Sequence, residues 1–220
     1  MSDQTTEGRA RQLSKTEKLM VRAMNAAWTA PMFQVTVEVD MTRAEAAKSD
    51  GVSLTDVILG RCAATLKNHP NINAHWNEDH VVEHDTVNLG LAVASDRGLT
   101  VPVIADAGGM SLGDIAKRRK ELVDKVRAGK IGIKEVSGAT FTVSNLGMFG
   151  VARFTAIVNP PQVAILAVGG TVQRQIWNDG SPEWRPIAEL TLTSDHRAVD
   201  GAGAARFLKD LKAHLERAEE

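Results

Sequence analysis

The sequence predicts an α+β fold, a two-layer sandwich in which a few amphipathic helices cover a β-sheet. The predicted strands come in clusters rather than in strict alternation with helices, which argues against a doubly wound parallel sheet. The helices are few, and each has apolar residues at helical spacing along one side. The 220 residues suffice for one domain with a hydrophobic core. We expect a flexible tail over residues 1–12 and the domain over residues 13–220.

The composition excludes several classes of protein. A single Cys rules out a disulfide within the chain and a thiolate-rich zinc site, and the absence of Tyr removes that residue as an acid or base. The 26 Lys and Arg balance 27 Asp and Glu without a dense basic run, so we expect no nucleic-acid partner. The start of the chain has no apolar segment for a secretory signal, and the longest nearly apolar run, residues 163–172, is too short to span a membrane. We therefore expect a cytoplasmic protein, or one of an organelle matrix if the chain is a processed form, with no membrane partner.

Capping residues and apolar spacing mark the helices. Ser14 and Glu17 have the spacing of a capping box, and Pro31 is expected to end the helix that they begin. Similar signals start helices at Ser53 and Ser111, and a last helix is expected from about residue 202. Cys62 falls on the apolar side of the second helix, so we interpret it as a core residue rather than a reactive thiol.

Alternation of apolar and polar residues marks the strands. It predicts a strand over residues 33–39, a hairpin around residues 77–80 and a meander over residues 87–104. Further strands are expected over residues 140–144, 163–168, 172–177 and 187–193.

Among the six His, His196 stands out as a candidate general base. It directly follows a predicted strand and directly precedes the last helix, where a loop can present a side chain to a cleft. Asp200 is well placed to cap that helix. On pattern alone, a structural His in a charged turn is an equally good interpretation of His196. We interpret the remaining five as structural: His69, His75, His80, His84 and His214.

We expect no metal site. His80 and His84 are four residues apart, which suits a metal on a helix, but they fall in a predicted strand and no third ligand is in view.

The segment over residues 138–150 carries a second candidate. Strand alternation places the hydroxyl groups of Thr140, Thr142 and Ser144 on one face, ahead of a glycine-containing loop. Such a row could donate hydrogen bonds to a developing oxyanion. The alternative is a solvated strand face, and the pattern leaves both open.

These two segments resemble motifs of a known family. Residues 195–201, Asp-His-Arg-Ala-Val-Asp-Gly, fit the signature Asp-His-Arg-x-x-Asp-Gly of the dihydrolipoamide acyltransferases, the core subunits of 2-oxoacid dehydrogenase complexes. Residues 140–147, Thr-Phe-Thr-Val-Ser-Asn-Leu-Gly, fit a second segment of their catalytic domain. Residues 14–24, 98–104 and 160–166 are also similar, in the same order along the chain. The Ser-Asn-Leu-Gly version is most similar to the pyruvate-type members, which transfer acetyl groups.

The resemblance implies a fold and a mechanism. The fold would be that of the coenzyme A-dependent acyltransferases that include chloramphenicol acetyltransferase. An acyl group would pass between dihydrolipoamide and coenzyme A, with His196 as the general base. Ser144 of a neighbouring subunit would donate a hydrogen bond to the tetrahedral oxyanion. Asp200 would orient the His196 loop, and Phe154 would line the acyl end of the substrate channel.

The resemblance also implies partners. The family forms homotrimers with active sites at subunit interfaces, and coenzyme A is a substrate. The lipoyl group would be supplied in trans by a lipoyl-bearing protein or by a part absent from this chain. A 2-oxoacid decarboxylase and a dihydrolipoamide dehydrogenase would be the other components.

Three departures from the family pattern shape our expectations. No lipoyl domain precedes the core in this chain. Glu17 stands where many members have Arg, which leaves the coenzyme A phosphate contacts unassigned. The last residues are charged where members usually continue into an apolar segment that links trimers, so we expect a trimer without a conventional cage.

Two other functions remain as alternatives. A free-standing acetyltransferase of the chloramphenicol acetyltransferase type would share the fold, but such enzymes typically carry His-His where this chain has Asp195 and His196. A non-catalytic scaffold subunit would have no need of His196, Ser144 and Asp200 together.

Overall fold

The computed structural model describes residues 10–95 and 98–217. Most of the predicted tail, residues 1–9, lies outside the described residues, and residues 10–12 form neither helix nor strand. Residues 218–220, which include the charged Glu219 and Glu220 on which the expectation about cages partly depends, also lie outside them.

The helices begin where the capping residues predict. In α1, Ser14 Oγ accepts a hydrogen bond from the backbone N–H of Glu17 at 3.2 Å, and the Glu17 carboxylate accepts one from the backbone N–H of Ser14 at 2.8 Å. Ser53 and Asp56 form an equivalent capping box at α3. The sequence did not predict the short α2. The α-helices of the described residues are α1 (Lys15–Ala27), α2 (Thr42–Ala46), α3 (Leu54–Leu66), α4 (Leu112–Arg127) and α5 (Gly201–Glu216).

Seven strands in the described part of the chain form one mixed sheet. Its order is β1-β11-β9-β8-β4-β7, and β10 pairs with the first half of the long β11. The predicted hairpin around residues 77–80 is present as a separate pair of strands, β2 and β3. The strands are β1 (Met32–Asp40), β2 (Ala74–Asn77), β3 (His80–Glu83), β4 (Leu89–Leu91), β5 (Val93–Ser95), β6 (Gly98–Thr100), β7 (Val103–Ile104), β8 (Phe141–Asn145), β9 (Ala164–Val168), β10 (Val172–Asn178) and β11 (Ser181–Asp195).

The predicted meander over residues 87–104 is only partly formed. Two short antiparallel pairs, β4 with β7 and β5 with β6, replace two continuous strands. The break falls at Ala92, whose backbone N–H donates to Val143 O of β8 at 3.0 Å instead of to the facing strand. Next to it, the N–H of Leu91 donates to Pro102 O at 2.9 Å, but Pro102 has no N–H to donate in return. β4 also pairs in parallel with β8, a long-range pairing that local alternation does not reveal.

Helices α3 and α5 cover one face of the sheet, and α4 packs against α3, so the predicted α+β two-layer architecture is confirmed. The covered face presents Phe141, Leu166 and Leu192, all essentially inaccessible to solvent. Phe207 of α5 packs on this face, with its ring centroid 5.8 Å from that of Phe141. Cys62 is fully buried in the same core, as predicted.

No helix in the described ranges is both long enough and apolar enough to cross a membrane.

Candidate active site

His196 lies in the turn between β11 and α5, as the sequence predicts. Its backbone N–H donates to Pro31 O at 2.9 Å, and the N–H of Asp195 donates to Val163 O at 2.8 Å. These two hydrogen bonds tie the end of β11 to the loop before β1 and to the residue just before β9. The side chain of His196 is exposed in the single chain and packs against the ring of Phe33, with ring centroids 4.5 Å apart.

Asp200 caps α5, as predicted. Its Oδ1 accepts a hydrogen bond from the backbone N–H of Gly203 at 2.6 Å. A Cβ atom at Gly203 would come within 3.0 Å of Asn71 Nδ2 and 3.1 Å of Asp200 Oδ1, so the absence of a side chain lets this cap close. The capped helix gives the four residues after His196 a fixed end point.

Ser144 and Phe154 line one cavity of about 710 Å³, which we call the Ser144 cavity. Its walls are mainly apolar and include Met20 and Met24 of α1 as well as Ile165 of β9. The apolar stripe that the sequence predicts for α1 therefore faces a cavity, and Met20 remains partly exposed there. An apolar wall with a hydroxyl group in it suits an uncharged chain attached to a polar reacting centre.

The solvated-face interpretation of the hydroxyl row is wrong. Thr140 is 3% exposed and Thr142 is 1% exposed. The Thr142 hydroxyl donates to Gln162 Oε1 at 2.7 Å, so a residue just before β9 covers this part of the strand. The hydroxyl groups face the interior of the molecule and the Ser144 cavity because a distant segment folds over them.

Strand register shows where Ser144 lies relative to the rest of the sheet. Ser144 pairs with Ala167, Ala167 with Thr191, and Thr191 with Thr36. Residues that pair across neighbouring strands share a face, so these four form one row. The hydroxyl groups of Thr36 and Thr191 are 2.9 Å apart in that row.

His196 belongs to the other side of the sheet. Phe33, which contacts the imidazole, alternates with Thr36 along β1 and packs against the helix-covered core. The register also separates Ser144 from His196 by five residue steps along the strands and two strand spacings across them. These steps place the two residues roughly 20 Å apart.

One chain therefore does not bring Ser144 and His196 to the same reacting atom. A general base and an oxyanion donor must both lie within about 3 Å of the group that reacts. The two can meet only if a second chain supplies one of them.

The Glu17 carboxylate interacts with neighbouring residues of its own chain. Hydrogen bonds from the side chain of Arg11 and from Ser14 lower the pKa of the Glu17 carboxyl to about 2. Arg11 Nη2 lies 2.6 Å from Glu17 Oε1. The interpretation of Glu17 as a capping residue is confirmed, and its charge is neutralised by Arg11.

Residues 10–95 and 98–217 contain no group of three or more His, Cys, Asp or Glu arranged to hold a metal ion. Three of the other His have structural contacts instead. His69 Nε2 lies 2.9 Å from Asp210, His75 Nε2 lies 2.9 Å from Ala139 O, and His214 Nδ1 lies 2.8 Å from Thr65 Oγ1.

Sequence reasoning missed two aromatic neighbours of the His196 loop, Phe33 and Trp76. Phe33 contacts the imidazole, and Trp76 contacts the guanidinium of Arg197. Phe33 was predicted only as a strand residue, because alternation in a strand does not reveal which aromatic side chain ends beside a distant loop.

Comparison with known proteins adds family evidence to this geometry. A family profile described as 2-oxoacid dehydrogenases acyltransferase (catalytic domain) matches residues 5–220. The mitochondrial dihydrolipoyllysine-residue acetyltransferase component of the pyruvate dehydrogenase complex of Schizosaccharomyces pombe is 41% identical over 198 residues. That match covers 84% of this chain and 41% of the relative, so the chain spans about two fifths of the relative's length.

Solved structures agree with this match. A probable dihydrolipoamide acetyltransferase from Listeria monocytogenes superposes with a TM-score of 0.92 at 31% identity, covering 97% of both chains. The cubic core of a pyruvate dehydrogenase multienzyme complex superposes with a TM-score of 0.91 at 32% identity, covering 96% of this chain and 93% of the other. A chloramphenicol acetyltransferase superposes with a TM-score of 0.61 at 17% identity, covering 88% of this chain and 94% of the other. At that identity the similarity is one of fold. The predicted acyltransferase fold is thereby confirmed.

Proposed function

The chain belongs to the 2-oxoacid dehydrogenase acyltransferase family, as its motifs predict, and on that premise we propose that it transfers an acetyl group between coenzyme A and dihydrolipoamide. The family profile covers nearly all of the chain. The Schizosaccharomyces pombe relative and the Listeria monocytogenes structure support the acetyl group in particular, since both are acetyltransferases by name.

In the proposed mechanism His196 is the general base. A thiol with a pKa of about 8.5 is mostly protonated near neutral pH, so an imidazole that accepts its proton creates the thiolate as it attacks. The thiolate adds to the carbonyl carbon of the acetyl thioester, and the carbonyl oxygen becomes an oxyanion. The Ser144 hydroxyl donates a hydrogen bond to that oxyanion. The tetrahedral intermediate then expels the second thiolate, which takes the proton back from His196.

The observation that carries the proposal is the placement of His196 and Ser144 on opposite faces of one sheet. Each half is preformed in one chain, the imidazole on Phe33 and the hydroxyl in the Ser144 cavity. This arrangement suits an assembly in which His196 of one subunit faces Ser144 of the next. We propose a homotrimer, the assembly that the resemblance to the family implies, and such a closed ring repeats that contact with every subunit contributing both halves.

The remaining roles follow the family. Phe154 would contact the acyl chain, since it shares the cavity with Ser144. Asp200 would hold the His196 loop by capping α5. The lipoyl group would come from a lipoyl-bearing protein or from a part of the protein beyond this chain. A 2-oxoacid decarboxylase and a dihydrolipoamide dehydrogenase would be the partner enzymes, in the cytoplasm or an organelle matrix.

Subunit complementation tests the proposal directly. Chains carrying His196→Ala and chains carrying Ser144→Ala are each expected to transfer acetyl groups poorly from acetyl-coenzyme A to dihydrolipoamide. When the two are co-expressed in equal amounts, random trimers should have about a quarter of their sites intact, each with His196 from one chain and Ser144 from its neighbour. Mixed trimers no more active than their parents would exclude a site shared between subunits.

The same assay separates the alternatives. An enzyme of the chloramphenicol acetyltransferase type would acetylate an alcohol or amine and leave dihydrolipoamide unchanged. A scaffold subunit would transfer acetyl groups to none of these acceptors while forming the same assembly.

A further inference from the structure

The His196 loop is held by a second set of contacts, which starts from a buried carboxylate. Asp195 is 2% exposed. The side chain of Arg197 folds back onto it, with Nη2 2.6 Å from Oδ2 and Nε 3.0 Å from Oδ1. The backbone N–H of Arg197 also donates to Oδ1 at 3.0 Å. A buried carboxylate without these donors would be strongly unfavourable, so the pair closes the turn around His196.

Trp76 supports the outer side of this pair. The guanidinium carbon of Arg197 lies 4.7 Å from the centroid of the Trp76 ring, within the range of a cation–π contact of about 6 Å. Trp76 is anchored independently of the loop, since it lies in β2 and its backbone N–H donates to Pro161 O at 2.7 Å. The ring therefore offers Arg197 a fixed surface from a distant part of the chain.

His196 is the residue between the two members of this pair. Its neighbours Asp195 and Arg197 are fixed by each other and by Trp76, and its backbone N–H is fixed by Pro31. The imidazole itself contacts Phe33. We propose that Trp76 is a positioning residue for His196 and acts through Arg197. This inference rests on the proposed role of His196 as the general base.

The physical reason is that the Arg197 side chain is one-third exposed and has another conformation available to it in water. A guanidinium is planar, and a flat aromatic surface holds that plane where both nitrogens reach one carboxylate. Without the ring, Arg197 would exchange between Asp195 and solvent, and the turn that directs the imidazole would move with it. A displacement of about 1 Å at a catalytic group can lower a rate about a hundredfold.

Two substitutions at Trp76 separate support of Arg197 from simple packing. Trp76→Phe keeps an aromatic face, whereas Trp76→Leu keeps apolar bulk without one. In the assembled protein we expect Trp76→Leu to lower kcat about tenfold or more, with the KM of both substrates changed less than about twofold. Trp76→Phe should retain most of the activity. Trp177→Leu, on a side chain that is 75% exposed in β10, is the matched control and should match the parent protein.

A double variant tests whether Trp76 acts through Arg197. In an Arg197→Gln background, Trp76→Leu should reduce kcat no further, because the group that it supports is gone. The proposal would be overturned if the kcat losses of Trp76→Leu and Arg197→Gln multiplied in the double variant. Equal activity of Trp76→Leu and Trp76→Phe would overturn it as well. Melting temperatures identify a variant that is merely unfolded. If the Arg197→Gln variant does not fold, the comparison of Trp76→Phe with Trp76→Leu still tests the proposal.

A readout without turnover separates this proposal from the proposed function. With ¹³C-labelled His, the ring resonance of His196, assigned with His196→Ala, should be single and sharp in the parent protein and in Trp76→Phe. It should be broadened or split in Trp76→Leu. If the parent protein shows no acetyl transfer but the resonances behave in this way, the proposed function fails and the positioning stands. Unchanged resonances in Trp76→Leu would refute the positioning.

Discussion

Ser144 and His196 lie on opposite faces of the same β-sheet. Ser144 shares a row with Thr36 and Thr191, whereas His196 packs on Phe33 beside the helix-covered core. With the proposed roles of His196 as the base and Ser144 as the oxyanion donor, the two cannot act on one substrate within one chain. Activity is therefore expected to depend on assembly.

Substitution of the two residues should cause losses of different origin. His196→Ala removes the base and should lower kcat about 10²- to 10⁴-fold. Ser144→Ala removes one oxyanion donor, which typically costs about 10²- to 10³-fold in kcat. Initial rates of acetyl transfer from acetyl-coenzyme A to dihydrolipoamide measure both. His80→Ala, on a His side chain that is 58% exposed, is the control. Near-normal transfer by His196→Ala would show that the proposed mechanism is wrong.

Substitutions of Asp200 distinguish its role as a helix cap from an effect of its negative charge. Asn caps a helix about as well as Asp, whereas Ala at such a position costs about 1 kcal/mol of stability. Asp200→Asn should therefore keep the free energy of unfolding and most of the activity, and Asp200→Ala should lose part of both. Urea unfolding and the acetyl-transfer rate measure the two effects. If Asp200→Asn folds normally but loses most of its kcat, the carboxylate charge matters beyond the cap.

The buried ion pair of Asp56 and Arg119 should make the free energy of unfolding depend on pH in the acid range. The Asp56 side chain is fully buried, which acts to raise its pKa, but hydrogen bonds from Arg119 and Ser53 outweigh burial, and the pKa is lowered. A carboxyl whose pKa is lower in the folded state than in the unfolded state stabilises the fold above its unfolded pKa of about 3.9. That contribution is lost as the pH falls through the folded pKa.

Urea unfolding of Arg119→Met measures this contribution. The variant leaves a buried carboxylate without its partner and should lose about 3 kcal/mol at pH 7. The difference from the parent protein should shrink as the pH falls and Asp56 becomes protonated in both proteins. Lys120→Met, on an exposed neighbour in α4, is the control. An equal loss at pH 7 and pH 3 would contradict the assigned role of the ion pair.

Cys62 should be chemically inert in the folded protein. Burial raises the pKa of its thiol well above the usual range, and the side chain is fully enclosed by the core. Because the thiolate is the reactive form, a disulfide reagent such as Ellman's should label no thiol at pH 8 in the native protein and one in guanidinium. Rapid native labelling would show that the core around α3 opens readily.

Several parts of this protein could be read from local sequence. The capping boxes at Ser14 and Ser53 start helices because their hydrogen bonds join residues only three positions apart. The alternation along β1 and the position of His196 between a strand and a helix are equally local. The motif over residues 195–201 indicated the family, because motif residues are recognised without knowing what they contact in space.

Only the tertiary structure decided the arrangement of the site. The parallel pairing of β4 with β8, the cover that Gln162 places over Thr142 and the ring of Trp76 on Arg197 all join residues far apart in the chain. Such contacts depend on strand order and on packing, which local periodicity does not encode. The sequence by itself indicated, through its motifs, which residues are candidates for acyl transfer. The sheet decided that Ser144 and His196 face opposite ways, so the proposed site needs a second chain.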